Sequence, residues 1–122
     1  MNQNPFHVQV INPGSIHKIK DKQVTPETYL ALWKEVKNRN YSKFYKELGD
    51  YFKQEIPFNQ IHQIALNTQI TLKKSPMLYL HGFLLYASLL KYAQEHKNIP
   101  LFILETGTAR GFSSTCMAYA LE

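Results

Sequence analysis

Glu105 is the only acid between Glu95 and Glu122, and it ends an apolar run in the stretch ILETGTARGFSS, residues 103–114. Gly107 and Gly111 follow it, and then small hydroxyl residues. A carboxylate at the mouth of a glycine turn narrows the choice of ligand. Dinucleotide sites use G-x-G-x-x-G, with the acid about 20 residues further on; here the spacing is G-x-x-x-G and the acid comes first. A carboxylate ~4 Å from a phosphate would repel it by up to ~4 kcal/mol at an effective dielectric near 20. No Gly-Lys-Ser/Thr occurs, so a Walker A loop is excluded. The fitting partner carries a cation facing Glu105 and an anion facing a helix N-terminus. An amino acid moiety has both. Its ammonium meets Glu105, directly or through water, and its carboxylate accepts from backbone N–H groups and a hydroxyl such as Ser113.

Such a site needs elements to position it. LFIL, residues 101–104, is a continuous apolar run of strand length, the pattern of a strand buried on both faces in a parallel sheet. After the turn, Phe112, Cys116, Met117 and Ala120 recur at helical spacing. Strand, tight turn and helix make the first half of a βαβ unit, whose ligands sit at the carboxyl end of the strand.

These residues carry a family resemblance. The stretch resembles motif I of the class I S-adenosylmethionine-dependent methyltransferases, an acid followed by Gly-x-Gly-x-Gly. Glu105, Gly107, Ala109 and Gly111 fall on its four positions. Ala109 departs from the usual middle glycine, leaving less room beside the methionine part. The form Glu-x-Gly-x-x-x-Gly-aromatic-Ser is similar to the catechol and caffeoyl-CoA type O-methyltransferases and to related enzymes acting on sugars and antibiotics. SPMLYLHGFLLYASLL, residues 75–90, resembles the helix that precedes motif I in that group. The close resemblance covers about residues 75–121.

It implies S-adenosylmethionine as cofactor, with Glu105, Gly107, Thr108, Ala109, Gly111, Phe112 and Ser113 around it and Ser113 on the methionine carboxylate. It implies methyl transfer to an oxygen of a small molecule or sugar; the spread of the lysines and the shortness of the most apolar segment, residues 78–90, separately argue for no nucleic acid or membrane partner. The fold class expected is α/β: a mostly helical chain whose N-terminal region (1–74, a hairpin and helical cap) leads into the first strand-turn-helix of a Rossmann-like sheet (75–122, incomplete). A doubly wound sheet needs more strands, and the ribose-binding acid and any base or metal for the acceptor have no position here. The chain is therefore expected to be the N-terminal part of a longer protein, binding cofactor weakly or not at all by itself and not turning over. The alternatives are another nucleotide-binding Rossmann-like enzyme, or a non-enzymatic helical protein that binds an acidic partner.

The totals agree with a folded chain. With 122 residues, 44% hydrophobic and 19% charged, it is one modest globular domain and not a disordered one. The net charge of +5 comes from lysines spread along the chain, the pattern of solvated helical faces and not of a nucleic-acid arm. MNQNPFHVQV lacks the architecture of a signal peptide, and Cys116 is the only cysteine, which fits a reducing, cytoplasmic setting. The five histidines show no metal-ligand spacing, so no metal site is expected.

Upstream, FHVQVI (6–11), NPGS (12–15) and IHKIK (16–20) read as a short hairpin. Thr25-Pro26 opens a helix with Tyr29, Leu30, Trp33 and Val36 on one face, broken at Asn38–Asn40. A second helix runs from about Ser42 through Gly49 to Pro57, carrying Phe44, Tyr45, Leu48, Tyr51, Phe52 and Ile56. Asn59 caps a third, with Ile61, Ile64 and Ala65, and His62 reads as a surface or interface residue. Ser75-Pro76 opens a fourth, roughly 76–96 and apolar nearly all round, which calls for cover on most sides. Gly82 inside it permits close approach by backbone or ligand, or serves packing alone. The aromatics of these helices read as core.

Overall fold

The structure, a computed structural model, describes residues 26–70, 77 and 79–122. The hairpin expected at 6–20 and the Ser75-Pro76 helix start lie outside the described residues. Among the described residues five helices form: α1 (Pro26–Asn38), α2 (Ser42–Phe52), α3 (Phe58–Gln69), α4 (His81–Glu95) and α5 (Phe112–Ala120).

α1 starts at its proline and buries Tyr29, Trp33 and Val36, three or four residues apart, as the spacing requires. Glu27 in its first turn and Lys37 in its last oppose the helix dipole correctly. Lys37 Nζ lies 5.1 Å from the Trp33 ring centroid, a cation–π contact that covers the indole. The break, at 39–41, also serves the next helix, because Asn40 Oδ1 accepts from the Ser42 N–H at 3.1 Å and the Ser42 hydroxyl at 2.7 Å.

α2 passes through Gly49, as expected, but stops at Phe52 and not at Pro57. Lys53 turns left-handed (φ 53°), and the chain doubles back so that the Gln54 N–H reaches the Gly49 carbonyl at 3.1 Å. Ile56 is buried from outside the helix, whereas Tyr51 points to solvent. α3 begins at Phe58, so Asn59 lies within it and does not cap it. α4 begins at His81 and is covered on one side only: Gly82, Phe83 and Ala87 are buried, while Leu84 is exposed and Leu85, Leu89 and Leu90 are half-buried.

One hydrophobic core joins residues on both sides of position 74, from Tyr29, Trp33 and Leu48 to Phe83, Phe112 and Cys116. α5 lies mainly along α4 and also touches α3; α2 packs on α4, and α1 on α3. The aromatics knit the centre: the Tyr45 centroid is 4.2 Å from Phe58 and 5.1 Å from Phe83. Lysines pair with acids four residues away on the outer faces, as in Lys46–Asp50 and Lys91–Glu95, consistent with solvated helical surfaces.

The α/β expectation is corrected. Among the described residues there is no strand, so no Rossmann-like sheet is formed. Residues 101–104 are irregular, and Phe102 and Leu104 are 93% and 92% exposed. An apolar run signals that side chains want cover, but a strand exists only when neighbours satisfy its backbone groups. None of the described residues pairs with this run. No helix among the described residues is long and apolar enough to cross a membrane.

Candidate functional site

The position of the turn is set by where α5 is anchored. Gly82 of α4 faces Phe112 and Cys116 of α5 so closely that a Cβ there would stand 2.4 Å from Phe112 Cζ and 2.9 Å from Cys116 Sγ. Gly82 is thus a packing glycine between two helices, and no ligand is needed to explain it. Phe112 is buried as the first residue of α5, with its ring edge-on to Tyr79 (6.0 Å) and His81 (5.0 Å). Cys116, one turn on, is fully buried, and burial pushes its thiol up to about 12, so it is an inert core residue.

From this anchor the chain runs back through the glycine turn. φ is positive at Gly107 (70°), Ala109 (51°) and Gly111 (79°). The Gly111 N–H donates to the Thr108 carbonyl at 2.9 Å, closing a tight turn with Ala109 at its first central position. Positive φ at that position is a feature of type II′ turns, where glycine is the usual residue. Ala109 therefore departs from the glycine pattern at a point where the backbone favours glycine. A Cβ on Gly107 would meet nothing within 4 Å, so the turn is open there.

The open turn leads to an uncapped helix. Thr115 makes the first helical bond, N–H to the Gly111 carbonyl at 2.9 Å, and no side chain caps α5. The N–H groups of Phe112, Ser113 and Ser114 precede that bond and point out of the helix end. Glu105 is brought to this same end. The Ser114 hydroxyl donates to Glu105 Oε2, linking the carboxylate to the first turn of α5. Glu105, Ser113 and Ser114 are all half-buried; Thr108, Ala109 and Gly107 are exposed.

The structure thus gathers Glu105, Gly107, Thr108, Ala109, Gly111, Phe112 and Ser113 around one turn, with Phe112 serving as its anchor in the core. The residue that sequence reasoning passed over is Ser114. The signal available was its place next to Ser113 at the head of a helix, which does not say which hydroxyl turns toward the acid. Chemically, the arrangement offers one fixed anion and a set of outward N–H donors a few atoms apart, which suits a zwitterion better than a phosphate.

A second polar cluster lies in the core. His62 is 5% exposed, not at the surface as expected. Its Nδ1 shares a 2.8 Å hydrogen bond with the Tyr79 hydroxyl, and its Nε2 a longer 3.4 Å one with the Tyr45 hydroxyl. The His62 carbonyl accepts from Trp33 Nε1 at 2.9 Å. Burial, with a lesser contribution from Lys37, lowers the imidazole to about 4, and burial raises the Tyr45 phenol to about 12. Every polar atom of the cluster has a partner, so it locks α1, α2 and α3 to Tyr79 and has no unsatisfied group to offer a substrate. Among the described residues no three metal-binding side chains come together.

No protein-family model, curated protein or solved structure matches this chain.

Proposed function

We propose that the turn from Glu105 to Ser114 binds the amino acid end of S-adenosylmethionine, and that the protein serves methyl transfer to an oxygen of a small molecule or sugar. The observation that supports this most is the placement of Glu105 at the uncapped N-terminus of α5. The fit is chemical. The ammonium would take the free side of the Glu105 carboxylate, and the carboxylate would take the N–H groups of Phe112 and Ser113 and the Ser113 hydroxyl. Positive φ at Gly107 and Gly111 lets the backbone come close without a Cβ in the way.

When bound, S-adenosylmethionine supplies a methyl group already activated by its sulfonium. The residues here hold and orient the amino acid end, so that the reacting end is presented in a fixed direction. The test is an amide NMR titration of the full chain with S-adenosylhomocysteine up to millimolar concentration. Saturable shifts at Gly107, Gly111, Phe112 and Ser113 are expected. Shifts confined to other parts of the chain would sink the reading.

A second reading, a helical protein that binds an acidic partner, is favoured by the net charge of +5 and by exposed aromatics such as Tyr51 and Tyr92. It predicts association that weakens steeply with salt and no response to S-adenosylhomocysteine.

A further inference from the structure

We infer that Ser114 is the positioning residue for Glu105. The inference rests on the S-adenosylmethionine reading above and adds a residue to it. The Ser114 hydroxyl reaches back nine residues to donate to Glu105 Oε2. Its neighbour shows that this is not the default for a hydroxyl in this turn. Thr115 Oγ1 bonds the Gly111 carbonyl at 2.6 Å, the usual in-helix partner four residues back. Ser114 instead spends its only proton on the carboxylate.

Two consequences follow for a zwitterionic ligand. First, the bond fixes a flexible glutamate side chain whose rotamers would otherwise sample open solvent beside an exposed turn. Second, it occupies Oε2 and leaves Oε1 for the ligand's ammonium. Without that restraint, Glu105 could swing over the uncapped N–H groups of α5 and compete there with the ligand's own carboxylate. Ser114 thus keeps the anion of the protein and the anion of the ligand at separate places. Ser113, whose hydroxyl has no hydrogen-bond partner among the described residues, stays available for the ligand.

The ligand pair that reads this role is S-adenosylhomocysteine and 5′-methylthioadenosine, which keeps the adenosine and sulfur and lacks the amino acid. Both are titrated into the wild-type chain, Ser114→Ala and Ser114→Thr, with thermal melts to follow folding. Wild type is expected to prefer S-adenosylhomocysteine. Ser114→Ala should weaken S-adenosylhomocysteine about five- to tenfold and leave any 5′-methylthioadenosine binding within about twofold, the size of one ordinary hydrogen bond, since the ligand feels Ser114 only through Glu105. Ser114→Thr, which keeps the hydroxyl, should restore the preference. If Ser114→Ala binds S-adenosylhomocysteine as wild type does, or weakens both ligands equally, the positioning role is wrong while the cofactor reading stands. If wild type itself does not prefer S-adenosylhomocysteine, the cofactor reading fails and the role of Ser114 falls with it.

Discussion

Replacing Gly82 by alanine should destabilise the fold through a single contact. The added Cβ would lie 2.4 Å from Phe112 Cζ, 2.8 Å from Phe112 Cε1 and 2.9 Å from Cys116 Sγ. Carbon atoms in contact prefer about 3.5–4.0 Å, so the overlap with Phe112 exceeds about 1 Å. Neither neighbour can escape to solvent, because Phe112 is 3% exposed and Cys116 0%. Overpacking of this kind costs about 1–3 kcal/mol. Gly82 is the second residue of α4, so alanine regains only part of the roughly 1 kcal/mol it is worth in a helix interior, and the net loss is about 1–2 kcal/mol. For a domain of this size that lowers Tm by about 4–12 °C.

Circular dichroism melts measure the loss, and Phe112→Leu in the Gly82→Ala background should recover part of it by removing the clashing ring edge. Amide shifts from Gly107 to Ser114 should move as well, since Phe112 anchors the turn. An unchanged or higher Tm for Gly82→Ala would refute the reasoning, because it would mean that the glycine faces open space and alanine simply improves the helix.

Other outcomes follow from single features. Ala109→Gly should raise stability by about 0.5 kcal/mol, as relief of left-handed strain slightly outweighs the added chain entropy; a clear fall in Tm would contradict that backbone. His62, lowered to about 4 in the fold and near 6.5 unfolded, binds its proton more readily when unfolded, so its contribution to stability falls as pH drops from about 6.5 towards 4. Denaturant unfolding at pH 7 and pH 5 should differ by about 2 kcal/mol on this account, and His62→Gln should flatten that difference; an unchanged slope in the variant would rule the histidine out as its source. Phe102→Lys with Leu104→Lys should change stability by less than about 0.5 kcal/mol, because both side chains are in solvent; a loss of several kcal/mol would show that the run is buried after all.

The helices were the more legible part of this molecule. Tyr29, Trp33 and Val36, and later Phe112, Cys116 and Ala120, recur at the period of a helix and are buried as a set. What spacing could not say is what each face meets. LFIL reads as a buried strand because local composition carries no information on whether a neighbouring strand is there to accept its hydrogen bonds. His62 reads as polar and therefore outside, yet two tyrosines far away in sequence, Tyr45 and Tyr79, satisfy both of its nitrogens. Lys53 gives no sign that it will turn left-handed and end α2 before Pro57.

The turn itself was legible residue by residue, since glycines and an acid at fixed spacing constrain the backbone directly. The choice of Ser114 over Ser113 for Glu105 was not, because both hydroxyls sit in the same helical turn and only the path of the chain decides which one meets the acid.

Whether Glu105 receives the ammonium of an amino acid moiety is tested most directly by the affinity of S-adenosylhomocysteine for Glu105→Gln relative to wild type, measured by NMR titration. Glutamine keeps the shape and removes the charge, so binding should weaken about tenfold or more, the worth of a charge-assisted hydrogen bond. Equal affinity in the two proteins would contradict the account.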